Sequence, residues 1–470
     1  MRKYLIDRKA TVFLDLDRKD RTKTAVVDDS GQAVTYGDLC DFSRAFAGHL
    51  CSRSLIFILS ENRIGSLLGY VASLSNRIVP LILSAATEEG LYDDLYGRYR
   101  PEYLWLPCAK AAEKGMKPLF EAWDYCLVGT GNPPAPMQEE LALLLPTSGS
   151  TGSPKLVRHS YRNIEANADN VRRLFELDGT EKAMAILPLH YTMGLSVVTS
   201  HLLAGATLLL SGLSLLDKAF LERLKEATSF TGVPYSYEIL NRLNFTRMDL
   251  PGLKLISQGG GKLRAETWNA LARYARDRHI RFVATYGQTE CTARMAYLPA
   301  ELAMEKVCSI GIAEPGGRLS LLDEAGNETF EGEAQGELVY RGENVTLGYA
   351  TCREDLTKGD ENHGVMHTGD LARRDADGCH YIIGRLNRFL KIYGLRIGLD
   401  EVERLIKEEY RTDCRCEGDD ERLTVLVTDA GLREVLPSFV EEKTHLFHRR
   451  VDVQVVNSIP RNENQLIMKQ

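Results

Sequence analysis

Short unbroken apolar runs alternate with helical i, i+3, i+4 stripes along the first two thirds of the chain. That rhythm predicts α/β units stacked around largely parallel sheets. Residues 54–60 (SLIFILS) read as a buried strand, 65–74 as a helix, and 78–83 and 141–145 as strands. Before them, Thr35 and Asp38 form a T-x-x-D capping pattern, and Tyr36, Leu39, Phe42, Phe46 and Leu50 continue it at helical spacing. Beyond residue 160 the alternation resumes. Helices are expected at 163–174, 196–203, 221–227 and 265–276. Strands are expected at 182–187, 206–210, 229–233, 253–257 and 281–285. The longest apolar stretch, 194–216, invites a membrane reading. His201 and two glycines interrupt it, however, and Gly205 sits where a helix should stop. Helix, glycine stop and buried strand is the predicted order.

From about residue 311 the texture changes to glycine-punctuated strands, as at 319–322, 336–341 and 380–383, which suggests an antiparallel β subdomain over about 311–384. A basic segment, 385–396, leads to a charged helix at 399–410 with Val402, Leu405 and Ile406 on one side. Strands at 423–427 and 451–456 complete a small α+β cap. The expected architecture is therefore an α/β N-terminal core, 1–386, carrying the β subdomain, followed by a small mobile C-terminal domain, 387–470.

Composition adds only exclusions. A chain of 470 residues is too long for one core, and 44% hydrophobic with 26% charged residues is ordinary for a soluble protein. A net charge of −7 gives no reason to expect nucleic acid as a partner. The first nine residues carry Arg2, Lys3, Asp7, Arg8 and Lys9 without an apolar core, so no signal peptide is expected. The ten cysteines are scattered. Only Cys414 and Cys416 lie close, and a single C-x-C is weak evidence for metal. Reduced thiols in a soluble cytoplasmic protein are the expectation.

Candidate chemistry begins with Thr147-Ser148-Gly149-Ser150-Thr151-Gly152-Ser153-Pro154-Lys155, directly after the strand at 141–145. Glycines let backbone N–H groups approach an anion, hydroxyls add donors and the ammonium adds charge. A Walker loop needs lysine directly after glycine; here Ser153 and Pro154 intervene, which disfavours kinase-like or GTPase-like transfer. A solvated Ser/Gly loop is the plainer alternative. Thr285-Tyr286-Gly287-Gln288-Thr289-Glu290 follows a strand, at the carboxyl end where open α/β sheets bind ligands.

Further along stand Gly336-Glu337-Leu338, Gly342, Gly348-Tyr349, Thr368-Gly369-Asp370-Leu371 and Gly384-Arg385 with Lys391 and Gly394. In this order and at these intervals, the motifs resemble the adenylate-forming superfamily of acyl-CoA synthetases, peptide-synthetase adenylation domains and luciferases. The resemblance runs over about 33–459.

The resemblance implies ATP and Mg²⁺ as cofactors, with roles residue by residue. Residues Thr147, Ser148, Gly149, Ser150, Thr151, Gly152 and Lys155 would hold the ATP phosphates. Gly259, Gly260 and Gly261 would admit the flat adenine, against a plain strand-end turn as the alternative. Tyr286 would stack on adenine beside Thr285, Gly287 and Gln288, Thr289 would donate to phosphate, and Glu290 would bind the metal unless it is an ordinary surface carboxylate. Asp370 would accept from the ribose hydroxyls, with a simple β-turn as its alternative, and Arg385 would reach ribose or phosphate. Residues 187–194, including His190, Tyr191, Met193 and Gly194, resemble the substrate-side loop, joined by Pro234 and Tyr235. No aspartate occurs from 187 to 200, which disfavours an α-amino acid and favours an aliphatic or aryl one.

The implied reaction is carboxylate attack on the α-phosphorus of ATP, then transfer to the thiol of CoA or of a phosphopantetheinyl acyl carrier protein. Lys391 and Gly394 match the face used in the thioester step. Two positions depart from the family. Asn387 stands at the hinge, where relatives carry an acidic residue or lysine, and Gln465-Leu466 stand where Gly-Lys, the adenylation lysine, is expected. Lys469 is the candidate substitute, against a plain tail lysine. A degenerate nucleotide-binding protein and an amino-acid-activating enzyme are the alternatives.

Overall fold

The computed structural model describes residues 13–51, 53–146, 155–386, 388–392, 395–419, 421–444 and 446–459. These residues divide into two compact units. The first comprises the chain up to Arg318 with Arg341–Met366; the second comprises Leu319–Tyr340 and the chain from His367.

The first unit is built on two large sheets. One has nine strands in the order Ile312–Ala313, Ala296–Tyr297, Arg281–Tyr286, Leu255–Gln258, Ser229–Gly232, Lys182–Ala185, Thr207–Leu210, Thr24–Val27, Ala33–Thr35. Its middle is parallel and both edges are antiparallel. The other has eight strands in the order Tyr349–Ala350, Leu156–Ser160, Leu141–Pro146, Val79–Ser84, Leu55–Ser60, Tyr103–Pro107, Tyr125–Gly129, Phe120–Ala122.

One hydrophobic core joins both sheets, with Ile56 and Ile58 from the second and Ala183, Leu208 and Leu210 from the first. The helices Ile64–Ser75 and Thr192–Ala204 lie within it, the first buried from Ile64 to Leu74 and the second from Gly194 to Leu202. A helix packed on all sides must be apolar on all sides, which is why residues 194–216 imitate a membrane span. Gly205 ends the helix with φ +72° and the strand Thr207–Leu210 follows, in the order expected. No described helix is long and apolar enough to cross a membrane. The Thr35 cap also forms: Asp38 N–H donates to Thr35 Oγ1 at 3.1 Å, and Thr35 N–H donates to Asp38 Oδ2 at 2.7 Å.

The second unit holds a five-stranded sheet in the order Glu328–Thr329, Gly317–Leu322, Ala334–Gly342, Val365–Arg374, His380–Arg385, the first residues of Gly317–Leu322 and the ends of two others reaching into the first unit's segments. It also holds the hairpin Phe389–Ile392 with Leu395–Gly398, and the sheet Cys414–Gly418, Leu423–Val427, Val451–Val455. The helix Leu399–Tyr410 buries Leu399, Val402 and Ile406 in a core with Val425 and Val427, while Leu405 is half-buried. Cys414 and Cys416 are buried free thiols facing that small core.

Candidate active site

Three neighbouring parallel strands, Ser229–Gly232, Leu255–Gln258 and Arg281–Tyr286, end at one edge of the nine-stranded sheet, and the nominated residues follow them directly. After Gln258 the backbone turns at Gly259, whose N–H donates to Gly232 O at 3.2 Å. Gln258 Nε2 donates to Gly261 O at 2.6 Å and folds the glycine stretch back on itself. Thr285 Oγ1 donates to Gln258 O at 3.1 Å.

Space explains the glycines. A Cβ on Gly259 would lie 2.6 Å from Thr285 Oγ1 and 2.9 Å from Met193 Sδ. One on Gly260, which has φ +74°, would meet Met193 Cε at 3.1 Å, and one on Gly261 would meet Pro234 Cγ at 3.2 Å. Gly259, Gly260, Gly261, Thr285, Met193 and Pro234 thus come together. Tyr235 is half-buried beside Pro234 in the helix Pro234–Arg242.

The strand Arg281–Tyr286 continues into a tight turn. A Cβ on Gly287 would fall 1.6 Å from Ala293 O, so only glycine lets the chain return here. The one-turn helix Thr289–Cys291 follows. Thr192 Oγ1, at the start of the central helix, donates to Thr289 Oγ1 at 3.0 Å. Tyr349 OH donates to Glu290 Oε1 at 2.8 Å, and Lys155 Nζ lies 5.5 Å from the centroid of the same Tyr349 ring. Burial, then the Glu290 carboxylate, pushes the Tyr349 phenol well above its ordinary range, so it remains a donor. Gln288 Nε2 reaches Tyr286 OH at 3.5 Å. Lys155 itself is exposed. The loop nominated before it, Thr147, Ser148, Gly149, Ser150, Thr151 and Gly152, lies outside the described residues.

His190 places Nδ1 3.4 Å from Ser60 Oγ and meets Tyr191 edge-on, with ring centroids 5.7 Å apart. Burial lowers its pKa to about 4, leaving a neutral imidazole. Gly194 has a packing role, since a Cβ there would sit 2.2 Å from Pro188 O.

In the second unit, Asp370 and Arg385 are register partners on adjacent antiparallel strands. Arg385 Nε donates to Asp370 Oδ1 at 3.0 Å; the Asp370 carboxylate is enclosed while the Arg385 side chain is 64% exposed. Glu337 Oε1 accepts from Gly369 N–H at 3.1 Å, and Thr368 Oγ1 donates to Leu338 O at 2.7 Å. Two motifs far apart in sequence are therefore one structure, the first holding the loop that presents Asp370. Lys391 lies on the hairpin strand Phe389–Ile392 opposite Arg396. Asn387, Gly394, Leu466 and Lys469 lie outside the described residues.

Three contributors escaped sequence reasoning. Fully buried Arg158 donates from Nε to Tyr349 O at 3.0 Å and from Nη2 to Leu347 O at 2.8 Å, clamping the strand that carries Tyr349. Thr346 donates to Glu290 O from both its N–H, at 3.0 Å, and its hydroxyl, at 2.9 Å. Asn344 Nδ2 donates to Cys291 O at 2.9 Å. The available signal was Asn344 and Thr346 alternating with Val345 and Leu347 inside the Gly342-to-Tyr349 motif.

The sequence profile described as AMP-binding enzyme matches residues 15–350, so the chain belongs to the AMP-binding enzyme family, the adenylate-forming superfamily. Among curated relatives, it is 30% identical over 285 residues to a long-chain-fatty-acid–CoA ligase of Salmonella typhimurium, covering 58% of this chain and 49% of that one. It is 31% identical over 271 residues to a feruloyl-CoA synthase of Amycolatopsis sp, covering 56% and 53%. The chain thus spans about half the length of these relatives. The fold is that of O-succinylbenzoate Coenzyme A synthetase (MenE) from Bacillus subtilis in complex with AMP, with TM-score 0.76 at 20% identity over 96% of both chains. ATP-bound MatB from Rhodopseudomonas palustris gives a TM-score of 0.73 at 20% identity over 97% of both.

Proposed function

We propose that this chain activates a carboxylic acid with ATP and passes the acyl group to a thiol, of CoA or of a phosphopantetheinyl carrier protein. The observation that carries this reading is the convergence of Lys155 and Glu290 on Tyr349, with Glu290 in the turn that follows one of the parallel strands. An ammonium and a carboxylate placed together suit a triphosphate and its metal. The CoA-ligase relatives support the reaction type.

The residues present fit the nucleotide and the metal. Gly259 to Gly261 pack against Thr285, Met193 and Pro234 too closely for a Cβ, so the stretch is bare backbone, a surface that suits the flat face of a purine ring. Glu290 offers a hard oxygen ligand, and Mg²⁺ typically takes one or two protein carboxylates and completes its shell with phosphate and water. When bound, the metal neutralises charge on the triphosphate.

In this reading Lys155 and Thr289 steady the phosphates, and Thr192 orients Thr289 through its hydroxyl. Tyr286 flanks the base, and Asp370 accepts from the ribose with Arg385 holding one of its oxygens. The substrate carboxylate attacks the α-phosphorus and pyrophosphate leaves. The thiol then attacks the acyl carbon, and the oxygen bridging to phosphorus departs with AMP. Neutral His190, Tyr191 and Met193 give the acid side an apolar character, and residues 187–200 offer no aspartate for an ammonium, so the acid is aliphatic or aryl. The C-terminal domain, beginning near Asn387, carries Lys391 and Gly394 toward the thiol step, and Lys469 substitutes for the lysine missing at Leu466.

The test is ATP–pyrophosphate exchange with a panel of fatty, aryl and amino acids. Exchange with a fatty or aryl acid supports the assignment, exchange with amino acids alone redirects it, and silence across the panel with Mg–ATP bound refutes it.

A further inference from the structure

A small cavity is lined by Tyr70, Leu143, His159, Ile164, Asn167 and Thr292 among others, Thr292 being the residue that ends the Thr289–Cys291 turn. Three enclosed polar atoms on its lining residues have no partner among the described residues: Tyr70 OH, His159 Nε2 and Asn167 Nδ2. These residues are 1%, 0% and 1% exposed. Buried polar groups are ordinarily paired by protein or by ordered water, and the cavity has room for about one water molecule.

The surrounding hydrogen bonds fix which groups donate. Arg294 Nη1 donates to Ser196 Oγ at 2.6 Å, and Ser196 Oγ passes its own proton to Asn167 Oδ1 at 2.8 Å. That leaves Asn167 Nδ2 as the donor facing the cavity. On the other side, Thr292 Oγ1 uses its proton on Asn344 O at 2.8 Å, so toward His159 it can only accept. His159 Nδ1, 3.3 Å from Thr292 Oγ1, must carry the ring proton, and Nε2 is left as a bare acceptor. Burial holds the His159 pKa at about 3, so a second proton is absent at neutral pH. One donor and one acceptor thus line the same small space, with a phenol able to play either part.

We infer that a single resident water closes this chain, accepting from Asn167 Nδ2, donating to His159 Nε2 and bonding Tyr70 OH. The inference further makes His159 a positioning residue for the Thr289–Glu290 turn. The proton order then runs one way, from Arg294 through Ser196, Asn167, the water, His159 and Thr292 to Asn344 O. Asn344 in turn holds Cys291 O from its amide, at 2.9 Å. The positioning part rests on the functional reading given above for Thr289 and Glu290; the water does not.

Two measurements on the full-length protein separate them. A crystal structure without nucleotide should show one density peak within hydrogen-bonding distance of at least two of the three atoms; a dry cavity overturns the water. Calorimetric titration of Mg–ATP should show affinity about five- to tenfold weaker in His159→Phe, the range of one lost hydrogen bond. His159→Asn, which restores a donor toward Thr292, should recover most of that loss. Val171→Ala, a buried truncation one turn beyond Asn167 in the helix Tyr161–Leu174, serves as a control for general destabilisation and should leave affinity unchanged. Equal affinity in His159→Phe and wild type, or equal weakening in Val171→Ala, overturns the positioning role. Should wild-type protein bind no Mg–ATP, the functional reading and the positioning role fall together, and the density alone decides the water.

Discussion

Replacing Asp370 with Asn removes one negative charge and almost no volume from the carboxylate assigned to the ribose. A hydrogen bond to a charged group contributes about 1.5–3 kcal/mol, against about 1 for a neutral one. Two bonds to a diol would double that figure. The Arg385 guanidinium already occupies Oδ1, however, so the lower end, about 2 kcal/mol, is the better expectation. That corresponds to roughly 30-fold weaker nucleotide binding. The effect on folding should be far smaller. Arg385 is 64% exposed, and solvent-screened ion pairs contribute about 0–1 kcal/mol. The assay is calorimetric titration of ATP and its 2′-deoxy and 3′-deoxy analogues against both proteins, with urea unfolding alongside. Each missing hydroxyl should weaken binding to wild type and cost Asp370→Asn much less, a coupling of about 1–2 kcal/mol in the double-mutant cycle. Equal deoxy penalties in both proteins would remove Asp370 from the ribose and refute the reasoning, whatever the absolute affinities.

Three further outcomes follow from the same geometry. Tyr349→Phe deletes the donor to Glu290 Oε1 and should raise the Mg²⁺ concentration needed for half-maximal exchange about three- to tenfold; an unchanged requirement would separate Tyr349 from the metal. Gly259→Ala places a methyl 2.6 Å from Thr285 Oγ1 and should weaken ATP binding at least about tenfold, whereas Gly90→Ala, with open space around it, should not. Burial lowers the pKa of His159 to about 3 and of His190 and His201 to about 4, from an unfolded value near 6.5. Their contribution is therefore complete above about pH 6.5 and is lost as pH falls toward those folded values. From pH 6 to pH 5 the three should cost about 3.5 kcal/mol, seen as a falling urea midpoint, and His201→Gln should remove roughly a third of that slope. A midpoint independent of pH across this window would contradict the three buried neutral rings.

The helices and parallel strands of the core were legible because burial imposes a period that survives in the sequence. The strand expected at 229–233 spans Ser229–Gly232, and the helix expected at 399–410 matches Leu399–Tyr410. What the pattern did not show is equally physical. The helix Glu89–Tyr99 buries only Leu95 and Tyr99, too little for a stripe. The strands Thr24–Val27 and Ala33–Thr35, last in the order of the nine-stranded sheet, are too short for their alternation to stand out. In the site, the turn after the strand Arg281–Tyr286 was readable because strand, glycine and hydroxyl are contiguous. Tyr349 was visible only as a motif residue. Its place between Lys155 and Glu290 depends on pairing of Tyr349–Ala350 with Leu156–Ser160 at the edge of the eight-stranded sheet, which no local pattern encodes. Arg158 was hidden for a related reason. A charged residue inside a strand reads as an exposed edge, yet here backbone carbonyls take up its guanidinium.

The central claim, that an acyl-adenylate forms here, is tested most directly with a substrate acid labelled with heavy oxygen in its carboxylate. After a single turnover with ATP and a thiol acceptor, the AMP should carry one labelled oxygen, because the attacking carboxylate oxygen leaves with phosphorus. Unlabelled AMP, or label appearing in inorganic phosphate with ADP as product, would contradict the account.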